Sequence, residues 1–303
     1  MNRASDAQAL PARCYNAVAG GAFFGSSLSY WRTAVDRANN VKVTTTCRKL
    51  LHLIMTGMIC ATISCKSRSN VEAPANNAQS AAEYMAQAEQ LYAQREDPAR
   101  LRQAIVLLRQ ARTVDPANYD AAWRTAQADY YLATHTDNGD ERDKAFSDGI
   151  EAGKAAVKLQ EGKPDGHFWL GANYGGSAQT SLIAGLANVD DIRNQMETVL
   201  RLDERYQNGS AYMVLGLVDL QAPRLLGGDP QKAVATMEKG LRVGKTNGWL
   251  HLHLAEAYLK VGRTADARQQ LNVIITMTPD YDYLPEHKEA VVEARKLLGK
   301  ADQ

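Results

Sequence analysis

Few residues in this chain have the type and spacing that chemistry requires. Gly175-Gly176-Ser177-Ala178-Gln179 is the nearest approach to a nucleophile elbow, but it lacks the closing glycine of G-x-S-x-G and falls inside a helical pattern. Ser177 therefore reads as structural. His251 and His253 stand two apart, so on a helix they point in different directions, whereas a pair four apart could chelate one metal. Asp190-Asp191 precedes Ile192, where acids suit a helix N-terminus without any catalytic role. There is no phosphate loop, H-E-x-x-H or EF-hand loop. The sequence predicts no enzyme, no metal site and no cofactor.

The four cysteines, Cys14, Cys47, Cys60 and Cys65, all precede Lys66, so nothing beyond it can form a disulfide or offer thiolates to zinc. One of them has its own chemistry. Arg48-Lys49 leads into an uncharged run over 50–64, too short for roughly 30 Å of hydrocarbon and closer to a signal-peptide core. The run ends at Thr62-Ile63-Ser64-Cys65, which resembles a bacterial lipobox. Ile63 and Ser64 fit it, and Thr62 stands where Leu, Val or Ile is usual. Cys65 is the predicted lipidation site, its acyl chains holding the protein to one leaflet at about 0.8 kcal/mol per buried CH₂. A plain secretory signal or an uncleaved anchor are the other readings. Residues 1–40 make an awkwardly long lead for a signal, whereas a start at Val41 leaves an ordinary basic one. They read as a mis-assigned start or a disordered extension, with 41–64 the signal peptide. Residues 65–79, rich in Ser, Asn and Ala, form the anchored cysteine and a flexible tether. Lys66-Ser67 lacks the Asp that commonly retains lipoproteins at the inner membrane. The expected location is the periplasmic side of a bacterial membrane, with the outer membrane favoured.

What must position any functional surface is the remainder, 80–303. The 303 residues are 45% hydrophobic, and 35 Lys+Arg against 34 Asp+Glu leave a net charge of +1, without the basic field that nucleic-acid binding uses. From Ser80 onward apolar residues recur at three and four, with no β-branched alternation. Near the C-terminus, Leu254-Ala255, Tyr258, Gly262, Ala267, Leu271, Ile274 and Pro279 occupy tetratricopeptide positions over one unit of about 34 residues. Small Ala255 and Ala267 let paired helices approach; Leu254, Tyr258 and Leu271 fill the space to the next pair. In the same register Ala104, Leu108 and Ala111 mark a first unit, whose first helix lies near 84–94. Trp123, Ala126 and Tyr130 open a second, with a less regular helix near 144–159. His167, Leu170 and Tyr174, then Ile192, Met196 and Val199, form a third. Tyr212, Leu215, Ala233 and Met237 form a fourth. A helix over 286–298 caps the last. The expected fold is an all-α, tetratricopeptide-like solenoid of about five hairpins plus a C-terminal cap, with long connections inside units two, three and four.

Residues 167–183, 192–203, Val214-Leu215-Gly216 and Leu225-Leu226-Gly227-Gly228-Asp229-Pro230 resemble the T-component of TRAP transporters, over most of 81–298. The resemblance implies a periplasmic lipoprotein that associates with the transporter's solute-binding protein. It also implies a homo-oligomer, since at least some members form a trimer with a ligand-accommodating pore. A generic tetratricopeptide scaffold for envelope assembly or maintenance is the alternative function.

Two surfaces are candidates for binding. The loop Leu225, Leu226, Gly227, Gly228 and Asp229 reads first as architecture, with glycines for unusual backbone angles, Asp229 as a helix cap and Pro230 in the first turn; its other reading is a rim for a partner. The groove-facing positions of the first helices include Tyr131, Phe168, Met213, Leu217, Trp249 and Leu252. Peptide-binding arrays use Lys, Arg and Asn there. This apolar stripe suits a hydrophobic ligand or self-association, or is core beneath the loops or cap.

Overall fold

Most of the helices start on a side chain that satisfies their own free N–H groups. Ser80 Oγ accepts from Glu83 N while the Glu83 carboxylate accepts from Ser80 N, a reciprocal capping box. Asp97, Asn118, Asn138, Asp229 and Asn247 cap five more helices in the same way. The computed structural model describes residues 79–180 and 182–301. The leading residues 1–40, the signal segment and Cys65 lie outside the described residues.

Eleven α-helices and no strands occur among the described residues. They are α1 (Ala81–Tyr92), α2 (Pro98–Val114), α3 (Tyr119–His135), α4 (Gly139–Leu159), α5 (Pro164–Thr180), α6 (Leu182–Leu202), α7 (Ser210–Gln221), α8 (Pro230–Val243), α9 (Gly248–Lys260), α10 (Thr264–Thr276) and α11 (Leu284–Ala301). Successive pairs from α1·α2 to α9·α10 pack as five antiparallel hairpins, and α11 packs on α9 and α10 as the cap. None of these helices is long and apolar enough to cross a membrane.

The predicted register is the observed one. Leu254, Ala255, Tyr258, Ala267, Leu271 and Ile274 are all buried, as are Ala104, Leu108 and Ala111 of the first unit and Ala126 and Tyr130 of the second. One continuous core runs from Ala88 to Ala294, as expected when no hairpin can bury its faces alone.

The long connections expected inside units two and three are not loops. Helix α4 begins at Gly139 and runs 21 residues, and α6 begins at Leu182, just after α5 ends at Thr180, and also runs 21 residues. The extra residues became additional helical turns because they have something to pack on. A Cβ at Gly153 of α4 would stand 2.9 Å from the Leu170 Cα of α5, so the glycine lets two backbones touch. Only the fourth unit keeps a long connection, from Ala222 to Asp229, with a short 3-10 turn at Arg224–Leu226.

Candidate functional site

The first helices of the hairpins form an inner layer. Helices α3, α5, α7 and α9 pack against one another in succession, while second helices reach mainly their own partner and the next first helix. The apolar stripe lies in this layer. Tyr131, Phe168, Met213, Leu217 and Leu252 are buried in the continuous core, and Trp249 is half-buried against it. Tyr131 meets Tyr92 edge-on at 6.3 Å and stacks on His135 at 3.9 Å. Phe168 meets Trp169 and Tyr206 edge-on at 5.0 Å and 5.4 Å, and Trp249 stacks on His253 at 5.6 Å. Within a single chain, these side chains are mostly used up by their neighbours.

One of those neighbours is distant in sequence. Helix α11 reaches beyond the last hairpin to the first two. Glu286 pairs with Arg95 just after α1 at 2.8 Å, Lys288 with Glu96 at 3.3 Å, and Glu289 with His135 at the end of α3 at 2.9 Å. Ala290 and Ala294 enter the core from the same helix, and the space beside Gly248 at the start of α9 is bounded by Ala290 and His287. Ahead of α11, the Tyr283 hydroxyl donates to Gln207 Oε1 at 3.0 Å. The array is therefore fastened end to end across its inner face. Burial pushes the Tyr131 hydroxyl pKa far up, with Glu289 and Glu286 adding to it, and Tyr283 is held up at about 12 chiefly by burial. Neither hydroxyl ionises at ordinary pH.

The loop after α7 is rigid and prominent. Gly227 takes φ +81° and Gly228 N donates to Pro223 O at 3.1 Å. A Cβ at Gly228 would collide with the Ala222 carbonyl. Asp229 N donates to Asp219 O at 2.7 Å, and the Asp229 carboxylate accepts from Gln231 N and Lys232 N at 2.9 Å and 3.2 Å, the cap read in the sequence. Buried Asp219 is held by Arg193 at 2.7 Å and Lys232 at 3.3 Å. From this frame Leu226 turns partly inward while Leu225 is 95% exposed.

Histidines that could suggest chemistry are braces. His251 bonds Gln270 Oε1 at 2.7 Å and Lys245 O at 3.0 Å, and His167 bonds Gln195 Oε1 at 2.7 Å and Glu161 O at 2.8 Å. The same clamp between first and second helix thus recurs in hairpins three and five, a repeat invisible to apolar spacing. Asp165 accepts from the hydroxyls of Tyr119 and Tyr206, each at 3.1 Å, joining three hairpins. Ser177 lends its carbonyl to Thr180 Oγ1 at 3.0 Å. No group of three or more His, Cys, Asp or Glu able to hold a metal occurs among the described residues.

The family model of the TRAP transporter T-component matches residues 138–296, from the cap of α4 into α11. No curated protein sequence matches. Among solved structures, a thermophilic tetratricopeptide protein of Thermus thermophilus is similar at 22% identity and TM-score 0.52, covering 70% of this chain and 100% of its own. A structure of pilF from Pseudomonas aeruginosa aligns at 18% identity and TM-score 0.47, covering 73% and 90%. The first of these likenesses concerns the fold alone.

Proposed function

The chain belongs to the TRAP transporter T-component family, and on that premise we propose that it is a non-enzymatic accessory to TRAP-type solute uptake. In this reading Cys65 is lipidated, 41–64 is removed as a signal peptide, and the repeat array stands on the periplasmic side of a membrane, the outer membrane being favoured. Its partner is the transporter's periplasmic solute-binding protein, and it assembles with copies of itself. The observation that carries the reading is the family match from α4 into the cap. The Leu225 loop supports it, because a rigid loop with one fully presented apolar side chain is a ready anchor for a partner pocket. An apolar ligand on the inner stripe requires α11 to shift, since the stripe is covered in the single chain.

The test is mild-detergent co-purification of the tagged protein from its native cells, with mass spectrometry of bound proteins and of the protein's own N-terminus. Recovery of a solute-binding protein together with a lipidated Cys65 supports the reading. Recovery of envelope-assembly factors instead, with no solute-binding protein across a range of salt, overturns it in favour of a general scaffold.

A further inference from the structure

At the junction of the first two hairpins, α2, α3 and α4 enclose a cavity of about 460 Å³ walled by Arg109, Arg112, Asp129, Lys144, Asp148 and Glu151. These side chains are far from both surfaces discussed above. Asp129 has no exposed surface. Its Oδ1 accepts from Arg109 Nη2 at 2.8 Å; the same nitrogen donates to Asp148 Oδ2 at 2.8 Å, and Lys144 Nζ donates to both Asp148 oxygens at 3.0 Å and 2.7 Å. This row of alternating charges accounts for one carboxylate oxygen of Asp129. The other, Oδ2, is buried with no hydrogen-bond partner.

A second group on the same wall is also left open. The Arg112 side chain is largely buried, yet its nearest acid is Glu151 at 3.9 Å, beyond hydrogen-bond length, and it makes no hydrogen bond among the described residues. Folded proteins seldom leave either kind of group unmade, because burial removes the water that would satisfy it. A structural ion pair explains Arg109 and Asp148 but neither Asp129 Oδ2 nor Arg112. What completes both is one molecule with a cationic donor at one end and an anionic acceptor at the other. The six charged side chains sum to zero formal charge, three basic against three acidic, so the wall favours a ligand without net charge. Its volume lies within the range of about 300–1,000 Å³ usual for small-molecule pockets.

We propose that this cavity binds a small zwitterion of the amino-acid type, its ammonium group donating to Asp129 Oδ2 and its carboxylate accepting from Arg112. The inference stands apart from the transporter reading, since α2 and α3 precede the family match, and either can fail without the other.

Titration calorimetry on the full chain tests it, with L-alanine, L-glutamine and L-lysine as probes and n-butylamine and acetate as single-charge controls. The expected result is saturable binding of at least one amino acid, neither control matching it, and a loss of about tenfold or more in Arg112→Gln. Asp129→Asn keeps the shape and is expected to abolish binding; should it misfold, Arg112→Gln decides alone. A further readout separates ligand contact from architecture. Burial holds the Asp129 carboxyl up at about 7, against the pull of Arg109 and Arg112 and with Asp148 adding to it, while Lys144 and Glu151 complete the charged wall. An arriving ammonium ionises that carboxyl, so binding near neutral pH releases a proton, seen as heats that differ between buffers of different ionisation enthalpy. No amino-acid binding above the controls at millimolar concentration, or unchanged affinity in Arg112→Gln, overturns the proposal.

Discussion

Arg95 and Glu286 are 191 positions apart and meet in a forked ion pair, Arg95 Nη2 donating to Oε1 and Oε2 at 2.8 Å and 2.9 Å and Nε to Oε1 at 3.1 Å. The guanidinium also lies over the rings of Tyr92 and Tyr131 at 5.0 Å and 5.4 Å. A solenoid ordinarily couples each repeat only to its neighbours. Here the last helix is fastened to the first two hairpins, so the array behaves as a closed unit.

Arg95→Ala removes the fork and two ring contacts from a site where the arginine side chain is only 10% exposed. The expected destabilisation is about 2–3 kcal/mol, because Glu286 is left partly buried without its partner. Amide exchange in α11 should accelerate more than exchange in α5 or α6. Arg95→Lys should recover only part of the loss, since an ammonium cannot form the fork. If α11 exchanges at its original rate in Arg95→Ala, the pair does not fasten the helix.

The second fastening is titratable. Burial pulls the His135 pKa down, but the Glu289 hydrogen bond and charge push it up and prevail. A histidine whose folded pKa is raised contributes stability below its unfolded value of about 6.5, and that contribution fades as pH rises through the folded value. Asp129 adds a trend of the same sign at lower pH: its carboxyl is held up at about 7 by burial, so folding is disfavoured as it ionises above its ordinary range near 3.8. Stability should therefore fall as pH rises from mildly acidic to mildly basic. Urea midpoints across that window should decline in the wild type, with a flatter upper part in His135→Gln.

Two glycines of one helix should respond oppositely to alanine. At Gly153 the added methyl meets the Leu170 backbone, which has nowhere to move, and a cost of about 1–3 kcal/mol follows. At Gly139, the first residue of α4, nothing lies within 4 Å, and the stiffer unfolded chain makes alanine neutral or stabilising by up to about 1 kcal/mol. Thermal midpoints of the two variants measure this. A Gly153→Ala protein as stable as wild type would mean that α4 and α5 are not in backbone contact.

These glycines also mark where sequence reading succeeds and stops. Small residues at Ala255 and Ala267 and apolar ones at Leu254, Tyr258 and Leu271 carry the register, because repeat packing is local and periodic. Asp229 and Pro230 announce a helix start by side-chain chemistry alone. Gly149, Gly153 and Gly176 lower the helical propensity of the longer units, so those stretches resemble loops, and only the close contacts made by the folded helices offset that. The return of α11 to Arg95 and His135 has no periodic signal, since its partners stand more than 150 positions away. The position of the inner stripe is legible from helix phase; what covers it depends on that return.

Leu225 supplies the most direct test of the partner surface. It is 95% exposed on a loop fixed by Gly228 against Pro223 and by Asp229 against Asp219, so its substitution separates binding from folding. Leu225→Glu should leave the thermal midpoint unchanged, because the side chain packs on nothing. If the loop meets the solute-binding protein, the charge must be desolvated in the contact, and capture should weaken by roughly tenfold or more. Gly228→Ala should weaken capture as well and also lower stability, since its methyl would strike the Ala222 carbonyl and displace the whole loop. Quantitative pull-down of the solute-binding protein by both variants at matched expression gives the answer. Full capture by Leu225→Glu would make the loop pure architecture and place the partner surface elsewhere on the array.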